Sequence, residues 1–144
     1  MGKKILWLDN DRVFLRPIIE VLRLKGFEVI QAVTLRNAEE AMDAWPQPDL
    51  LILDVMIPVR PGEEDIIDPD ETSLGQKTGL LFYQKFKSHF EKGGTKVLVC
   101  TLREDTKLRK ECESAGLPVN RFITKSEMAN IESFVRTITE IVGG

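Results

Sequence analysis

The sequence holds few of the residues that build disulfide scaffolds or zinc centres, with two cysteines and one histidine among 144 residues. Cys100 and Cys112 fall in a predicted strand and a predicted helix without metal-ligand spacing, which indicates reduced, packed thiols. His89 lies on a predicted helix away from every strand end and is not expected to be catalytic. No apolar run is long enough to span a membrane and no signal peptide precedes the first strand, so we expect a cytoplasmic protein.

Neither sign of charge dominates, because 20 basic and 23 acidic residues give a net charge of −3. This balance disfavours nucleic acid and membrane surfaces as partners. The chain has no internal repeats and no interdomain linker. We therefore expect a single domain over residues 1–144, with no output domain attached.

The chain does contain an alternation of short apolar runs and helical patterns. The predicted strands are Lys4–Leu8, Phe27–Val33, the run from Leu50 towards Asp54, Lys96–Thr101 and Val119–Lys125. The predicted helices are Arg12–Lys25, Leu35–Trp45, Thr78–Lys92, Thr106–Ala115, and a last helix that Ser126 caps and that runs to Val142. Five strands alternating with five helices predict an α/β fold with a doubly wound parallel sheet and helices on both faces.

The central predicted strand begins at Leu50 and leads to Asp54, and Pro58 bars its continuation. Because the run is apolar on both faces, it is typical of a fully buried strand in a parallel sheet. Ligands of open α/β sheets bind outside the carboxyl ends of the strands, where Asp54 would lie. On this stretch alone, a turn or cap role for Asp54 is an equal alternative.

Polar side chains follow four of the five predicted strands at this edge of the sheet. They are Asp9, Asn10 and Asp11 after the first strand, then Asp54, Thr101 and Lys125. Close carboxylates repel each other unless a cation compensates, and a hard divalent ion with oxygen ligands is the natural partner. A carboxylate nucleophile, Mg²⁺, a lysine and a hydroxyl together predict a phosphoryl-transfer site.

With these residues in order, the whole chain resembles the receiver domains of two-component response regulators. The resemblance is carried by the acidic residues after the first strand, the block Leu53-Asp54-Val55-Met56-Ile57-Pro58, Thr101, and Phe122-Ile123-Thr124-Lys125. It implies a flavodoxin-like sheet of strand order 2-1-3-4-5, an order for which a chemotaxis receiver is a known example.

The resemblance also implies a function for the strand-end residues. Asp54 would accept a phosphoryl group from a phosphohistidine on a sensor histidine kinase or phosphotransfer protein. Mg²⁺ would be held by Asp9, the Asn10 side chain, the Asp54 carboxylate and the backbone carbonyl of Met56. The protein would be a signalling switch and not an enzyme, beyond promoting its own phosphorylation and dephosphorylation.

The implied switch involves three further groups. Lys125 would bind the phosphoryl group, Thr101 would move towards it, and Phe122 would turn inward. The surface formed by the fourth helix, fifth strand and fifth helix would then change and be read by a downstream partner protein.

Three positions depart from the family pattern. Asn10 replaces a second acidic metal ligand, so Mg²⁺ affinity should fall. Ser126 replaces a proline whose cis peptide bond would cost roughly 3 kcal/mol here, so we expect a trans or strained bond. Leu102 replaces a small residue and either screens the phosphoryl group or points into packing.

The largest departure is an acidic insertion over about residues 59–77, after the third strand. A loop of this length is usually functional or disordered, and disorder of its middle is the favoured interpretation. The alternatives are that it covers the site, selects a kinase or adds a metal ligand.

Two other functions stay open. A degenerate receiver would keep the fold as a phosphorylation-independent interaction module. A haloacid-dehalogenase-like phosphatase would use Asp9 as nucleophile and Asp11 as general acid, but this hypothesis leaves Asp54 unexplained.

Overall fold

The computed structural model describes residues 2–72, 75–102, 106–117 and 122–143. Its strands are β1 (Lys4–Leu8), β2 (Glu28–Ala32), β3 (Leu50–Leu53), β4 (Lys96–Thr101) and β5 (Phe122–Thr124). Its α-helices are α1 (Arg12–Leu24), α2 (Leu35–Ala44), α3 (Thr78–Lys92), α4 (Thr106–Ser114) and α5 (Ile131–Ile141). The predicted start of the fifth strand, residues 119–121, lies outside the described residues, as do residues 73–74 of the insertion.

The five strands form one parallel sheet of order β2-β1-β3-β4-β5, which confirms the predicted fold class. Successive side chains of β1 enter opposite cores, because a strand has a period of two. Ile5 and Trp7 pack with α1 and α5 on one face, whereas Leu6 and Leu8 pack with α2, α3 and α4 on the other. The side chains of β3 divide in the same way, so the sheet edge that carries the polar residues lies between two hydrophobic cores.

Two backbone hydrogen bonds extend the pairing past the strand ends towards the polar residues. The Asp9 N–H donates to the Ala32 carbonyl at 3.0 Å, and the Asp54 N–H donates to the Leu8 carbonyl at 3.0 Å. Because these bonds fix the backbone, Asp9 and Asp54 leave the sheet at neighbouring positions of the same edge. None of the described helices combines the length and apolar character needed to cross a membrane.

The prediction for the last helix is wrong in its details. Residues Lys125–Ala129 form a 3-10 helix, and α5 begins only at Ile131. Asn130 caps α5 by accepting the Ser133 N–H, so Ser126 is not the cap. The Lys125–Ser126 peptide bond is trans, as expected.

The insertion is packed in its described part, so the favoured interpretation of disorder is wrong for residues 59–72. Ile66 and Ile67 are buried in the core that contains α2 and α3. Glu63 is 4% exposed, and its carboxylate accepts the Arg36 N–H at 2.9 Å and the Arg60 N–H at 2.8 Å. Since Arg36 lies in the first turn of α2, Glu63 satisfies a helix N-terminal N–H that would otherwise lack a partner.

The Arg36 side chain strengthens this attachment from the surface. Its guanidinium donates to the Gly62 carbonyl at 2.8 Å and pairs with Asp65 at 2.8 Å and with Glu39 at 2.9 Å. From α3, Lys85 Nζ donates to the Ile66 carbonyl at 2.9 Å. The insertion is therefore tied to both α2 and α3.

Candidate functional site

Four of the predicted site residues meet at the carboxyl edge of the sheet and are buried there. Asp9 and Thr101 are fully buried, Asp54 is 3% exposed, and Lys125 is 6% exposed. They follow or end β1, β4, β3 and β5 respectively. Polar groups of this kind are rarely buried unless they are paired or functional.

Lys125 joins the two carboxylates. Its Nζ lies 2.9 Å from Asp9 Oδ2 and 3.3 Å from Asp54 Oδ2. Both contacts are buried ion pairs. The Phe14 ring, whose centroid lies 6.0 Å from Nζ, adds a favourable face to the ammonium.

The other oxygen of each carboxylate accepts a local backbone N–H. Asp9 Oδ1 accepts the Asp11 N–H at 2.8 Å, and Asp54 Oδ1 accepts the Met56 N–H at 3.0 Å. These bonds set the orientation of both carboxylates. Because each carboxylate has a backbone donor, both acids can be buried at the strand ends.

The site holds more negative than positive charge. Burial, followed by the charge of Asp9, raises the pKa of Asp54 to about 6, although Lys125 opposes the shift. Burial is also the main cause that raises the pKa of Asp9. Burial lowers the pKa of Lys125, but the two carboxylates outweigh it and leave that pKa above its ordinary value. One lysine therefore does not fully compensate two buried acids.

The donor set suits a hard cation only in part. Among the described residues, no three His, Cys, Asp or Glu side chains are grouped to hold a metal ion. Asp9 and Asp54 supply two carboxylates with excess negative charge, and oxygen ligands of this type fit a hard divalent ion. Asn10 is exposed, and Met56 is half-buried next to the site.

Asp11 has a structural role. Its Oδ1 accepts the Phe14 N–H at 3.0 Å and caps α1. The general acid of the phosphatase hypothesis is thus engaged at a helix end, which does not support that hypothesis.

Thr101 and Phe122 lie on the neighbouring strands β4 and β5. Thr101 Oγ1 is buried and has no hydrogen-bond partner among the described residues, so it is available to a ligand oxygen. Phe122 is 8% exposed, and the Arg109 guanidinium lies 5.1 Å from its ring centroid. The next residue after Thr101, Leu102, is 69% exposed, so the alternative that it points into packing is wrong.

Gly79 helps to form the site, and only the structure shows why a glycine is needed there. Its N–H donates to the Val55 carbonyl at 3.0 Å, so the start of α3 lies directly on the loop after Asp54. A Cβ on Gly79 would stand 2.2 Å from the Asp54 carbonyl oxygen. The one sequence signal is a glycine in the first turn of a helix, where most residues would fit better.

No family model matches the chain. A segment of 60 residues is 42% identical to the transcriptional regulatory protein CpxR of Escherichia coli. The match covers 41% of this chain and 25% of that protein, so the chain matches about a quarter of its curated relatives' length.

Solved structures match over most or all of the chain. A response regulator from Thermotoga maritima superposes with a TM-score of 0.72 at 20% identity and covers 100% of both chains. A response regulator from Burkholderia pseudomallei with a phosphorylated aspartic acid, a calcium ion and citrate gives a TM-score of 0.66 at 19% identity, over 93% of this chain and 65% of that chain. At these identities the likeness establishes the fold. The predicted strand order and the resemblance to response-regulator receiver domains are confirmed.

Proposed function

We propose that this chain is a phosphoacceptor receiver domain, which takes a phosphoryl group from a phosphohistidine onto Asp54. The observation that carries the proposal is a buried carboxylate at the carboxyl edge of a receiver-type sheet, within 3.3 Å of a lysine that also pairs with Asp9. The donor would be a sensor histidine kinase or a phosphotransfer protein. In this role the chain acts as a signalling module.

The proposed chemistry uses the ionised form of Asp54. An Asp54 carboxylate oxygen attacks phosphorus, so that an O–P bond forms while the P–N bond to the imidazole breaks and the imidazole takes up a proton from solvent. With a pKa of about 6, Asp54 is mostly ionised at neutral pH. In this proposal Lys125 shifts from carboxylate to phosphoryl oxygen, and Thr101 Oγ1, which has no hydrogen-bond partner among the described residues, donates to another phosphoryl oxygen.

Mg²⁺ is the proposed cofactor, held by Asp9, Asp54, the Met56 carbonyl and the Asn10 side chain. When bound, it supplies positive charge to the phosphoryl oxygens. The excess negative charge of Asp9 and Asp54 supports the proposal, as does the phosphoaspartate and calcium ion of the Burkholderia relative. The neutral side chain of Asn10 should weaken binding compared with a second acid.

The proposed output is a change in the surface of α4, β5 and α5. Thr101 would move towards the phosphoryl group. Phe122 would then turn inward, into the space that Thr101 leaves. Thr101 and Phe122 lie on the paired strands β4 and β5, which supports this coupling. A downstream protein would read the altered surface.

The test is the mass of the intact protein after incubation with Mg²⁺ and a small phosphodonor. The wild type should gain one phosphoryl group, and Asp54→Asn should gain none because an amide is not a nucleophile here. Asp43→Asn, at an exposed aspartate of α2, should be labelled like the wild type. Equal labelling of Asp54→Asn would show that Asp54 is not the acceptor.

A degenerate receiver that binds partners without phosphorylation is a second candidate, because Asn10 is exposed and uncharged. Trp7 is fully buried and lies two residues before Asp9, so it should sense metal binding. This candidate would be favoured if tryptophan fluorescence does not change on addition of Mg²⁺ and if Asp54→Asn does not change partner binding.

A further inference from the structure

The turn from β5 to α5 is built differently from the family pattern, since Ser126 stands where a proline usually follows the lysine. In its place the chain forms the 3-10 helix Lys125–Ala129, which directly follows Thr124 of β5. Lys125 is the first residue of this helix, so the conformation of the turn sets the direction in which its side chain leaves the backbone.

A relay of three polar side chains closes the turn on its outer side. Thr124 Oγ1 donates to Glu127 Oε1 at 3.0 Å, and the Thr124 N–H makes a longer contact with the same oxygen at 3.5 Å. Ser126 Oγ lies 3.0 Å from Thr124 Oγ1. Because the Thr124 hydroxyl proton is committed to the carboxylate, Ser126 must donate to Thr124.

On its inner side, the 3-10 helix is anchored by Met128. This side chain is fully buried in the core that also contains Trp7 and Phe134. The helix is thus fixed at one side by apolar packing and at the other by Glu127. A lysine side chain has many rotamers, so fixing its backbone reduces the conformations in which Nζ misses Asp9 and Asp54.

We propose that Glu127 is a positioning residue for Lys125, acting through Thr124 and Ser126 and replacing the constraint that a proline gives elsewhere. The proposal rests on the proposed function, in that Lys125 is taken to bind the phosphoryl group on Asp54. Glu127 itself touches neither Asp54 nor the phosphoryl group. Its contribution is to keep the lysine ammonium at the acid pair.

The first experiment measures the position of Lys125 without any phosphorylation. Lysines are acylated with an amine-reactive reagent, and the rate at Lys125 is read by peptide mass. The wild-type side chain is 7% exposed and ion-paired, so it should react slowly. Glu127→Ala should react about three- to tenfold faster, the range expected for losing hydrogen bonds of this kind.

Two matched variants accompany this measurement. Glu127→Gln keeps an oxygen acceptor for Thr124 and should stay within about twofold of the wild type. Glu140→Ala removes an exposed glutamate of α5 far along the chain from the turn and should have no effect. Unchanged protection of Lys125 in Glu127→Ala would overturn the proposal.

The second experiment measures the initial rate of phosphorylation by a small phosphodonor. Glu127→Ala should lower the rate about three- to tenfold while Mg²⁺ affinity and thermal midpoint stay near wild type, and Glu127→Gln should restore it. In a Lys125→Ala background, Glu127→Ala should cause no further loss, because it acts through the lysine. An equal loss in both backgrounds would overturn the positioning role.

The two proposals fail in different ways. If the wild type is never phosphorylated but Lys125 becomes reactive in Glu127→Ala, the proposed function is wrong and the positioning of Lys125 stands. If Asp54 is phosphorylated and neither the rate nor the labelling responds to Glu127→Ala, the positioning role is wrong and the proposed function stands.

Discussion

Asp54→Asn should make the folded protein more stable at neutral pH in the absence of a divalent ion. Asparagine has the shape of the aspartate and can still accept the Met56 N–H, but it carries no charge. The raised pKa of Asp54 means that its ionised form is disfavoured in the folded state, even with the attraction of Lys125 included. Removing the charge therefore removes a net cost, although a buried ion pair is lost.

The size of the effect follows from the pKa of about 6 compared with the ordinary aspartate pKa of 3.8. A difference of one pKa unit corresponds to 1.36 kcal/mol, so the cost at pH 7.5 is about 2 to 3 kcal/mol. Because the folded-state pKa is the higher one, the folded protein binds more protons between these values. Wild-type stability therefore falls as pH rises from about 4 to about 6, and the cost is complete above that window.

The assay is urea unfolding followed by tryptophan fluorescence in buffer with a chelator, at about pH 7.5 and about pH 4. Asp54→Asn should exceed the wild type by about 2 to 3 kcal/mol at the higher pH and by less than about 1 kcal/mol at the lower one. Asp9 is present in both proteins and interacts with Asp54 in the wild type. The difference in unfolding free energy between the two proteins therefore includes the interaction of Asp54 with Asp9.

Asp43→Asn provides the control, since a surface substitution should change stability by less than about 0.5 kcal/mol at either pH. The reasoning is refuted if Asp54→Asn is no more stable than the wild type at pH 7.5. It is also refuted if the gain is the same at both pH values, because the ionisation of Asp54 would then not be its cause.

Three further predictions concern the metal, the insertion and α3. Saturating Mg²⁺ should stabilise the wild type more than Asp54→Asn, measured as the shift of the thermal midpoint with and without chelator, and equal shifts would contradict metal binding at Asp54. Glu63→Ala should destabilise the fold by about 1 to 3 kcal/mol in urea unfolding, because two partly buried N–H groups lose their acceptor, whereas the exposed Asp70→Ala should cost less than about 0.5 kcal/mol. Gly79→Ala should cost about 3 kcal/mol or more and slow the phosphorylation of Asp54, since its Cβ would meet the Asp54 carbonyl oxygen at 2.2 Å, and a stable, fully active variant would show that α3 can move away.

The site residues were predictable because they follow from local pattern and from the topology of a parallel sheet. Each apolar run is short, and a polar residue marks its end, so Asp9, Asp54, Thr101 and Lys125 could be assigned to one edge. Strands of a doubly wound sheet bring their carboxyl ends together. No contact between distant residues had to be known to reach that conclusion.

The insertion shows where this reasoning stops. Its acidic composition predicted a solvated loop, but Glu63 is held by the Arg36 N–H from a helix 27 positions earlier in the chain. Every helix begins with N–H groups that lack a partner within the helix. The sequence therefore does not show which distant residue will accept a hydrogen bond from them.

The sequence by itself determined the alternation of strands and helices, the buried central strand and the acid at its end, because periodicity and turn residues act over a few positions. Tertiary structure alone decided how those groups interact. It placed Lys125 between two carboxylates and raised the pKa of Asp54 by burial and by the charge of Asp9. Burial and Coulomb interaction depend on distance in space, and that distance exists only once the sheet has formed.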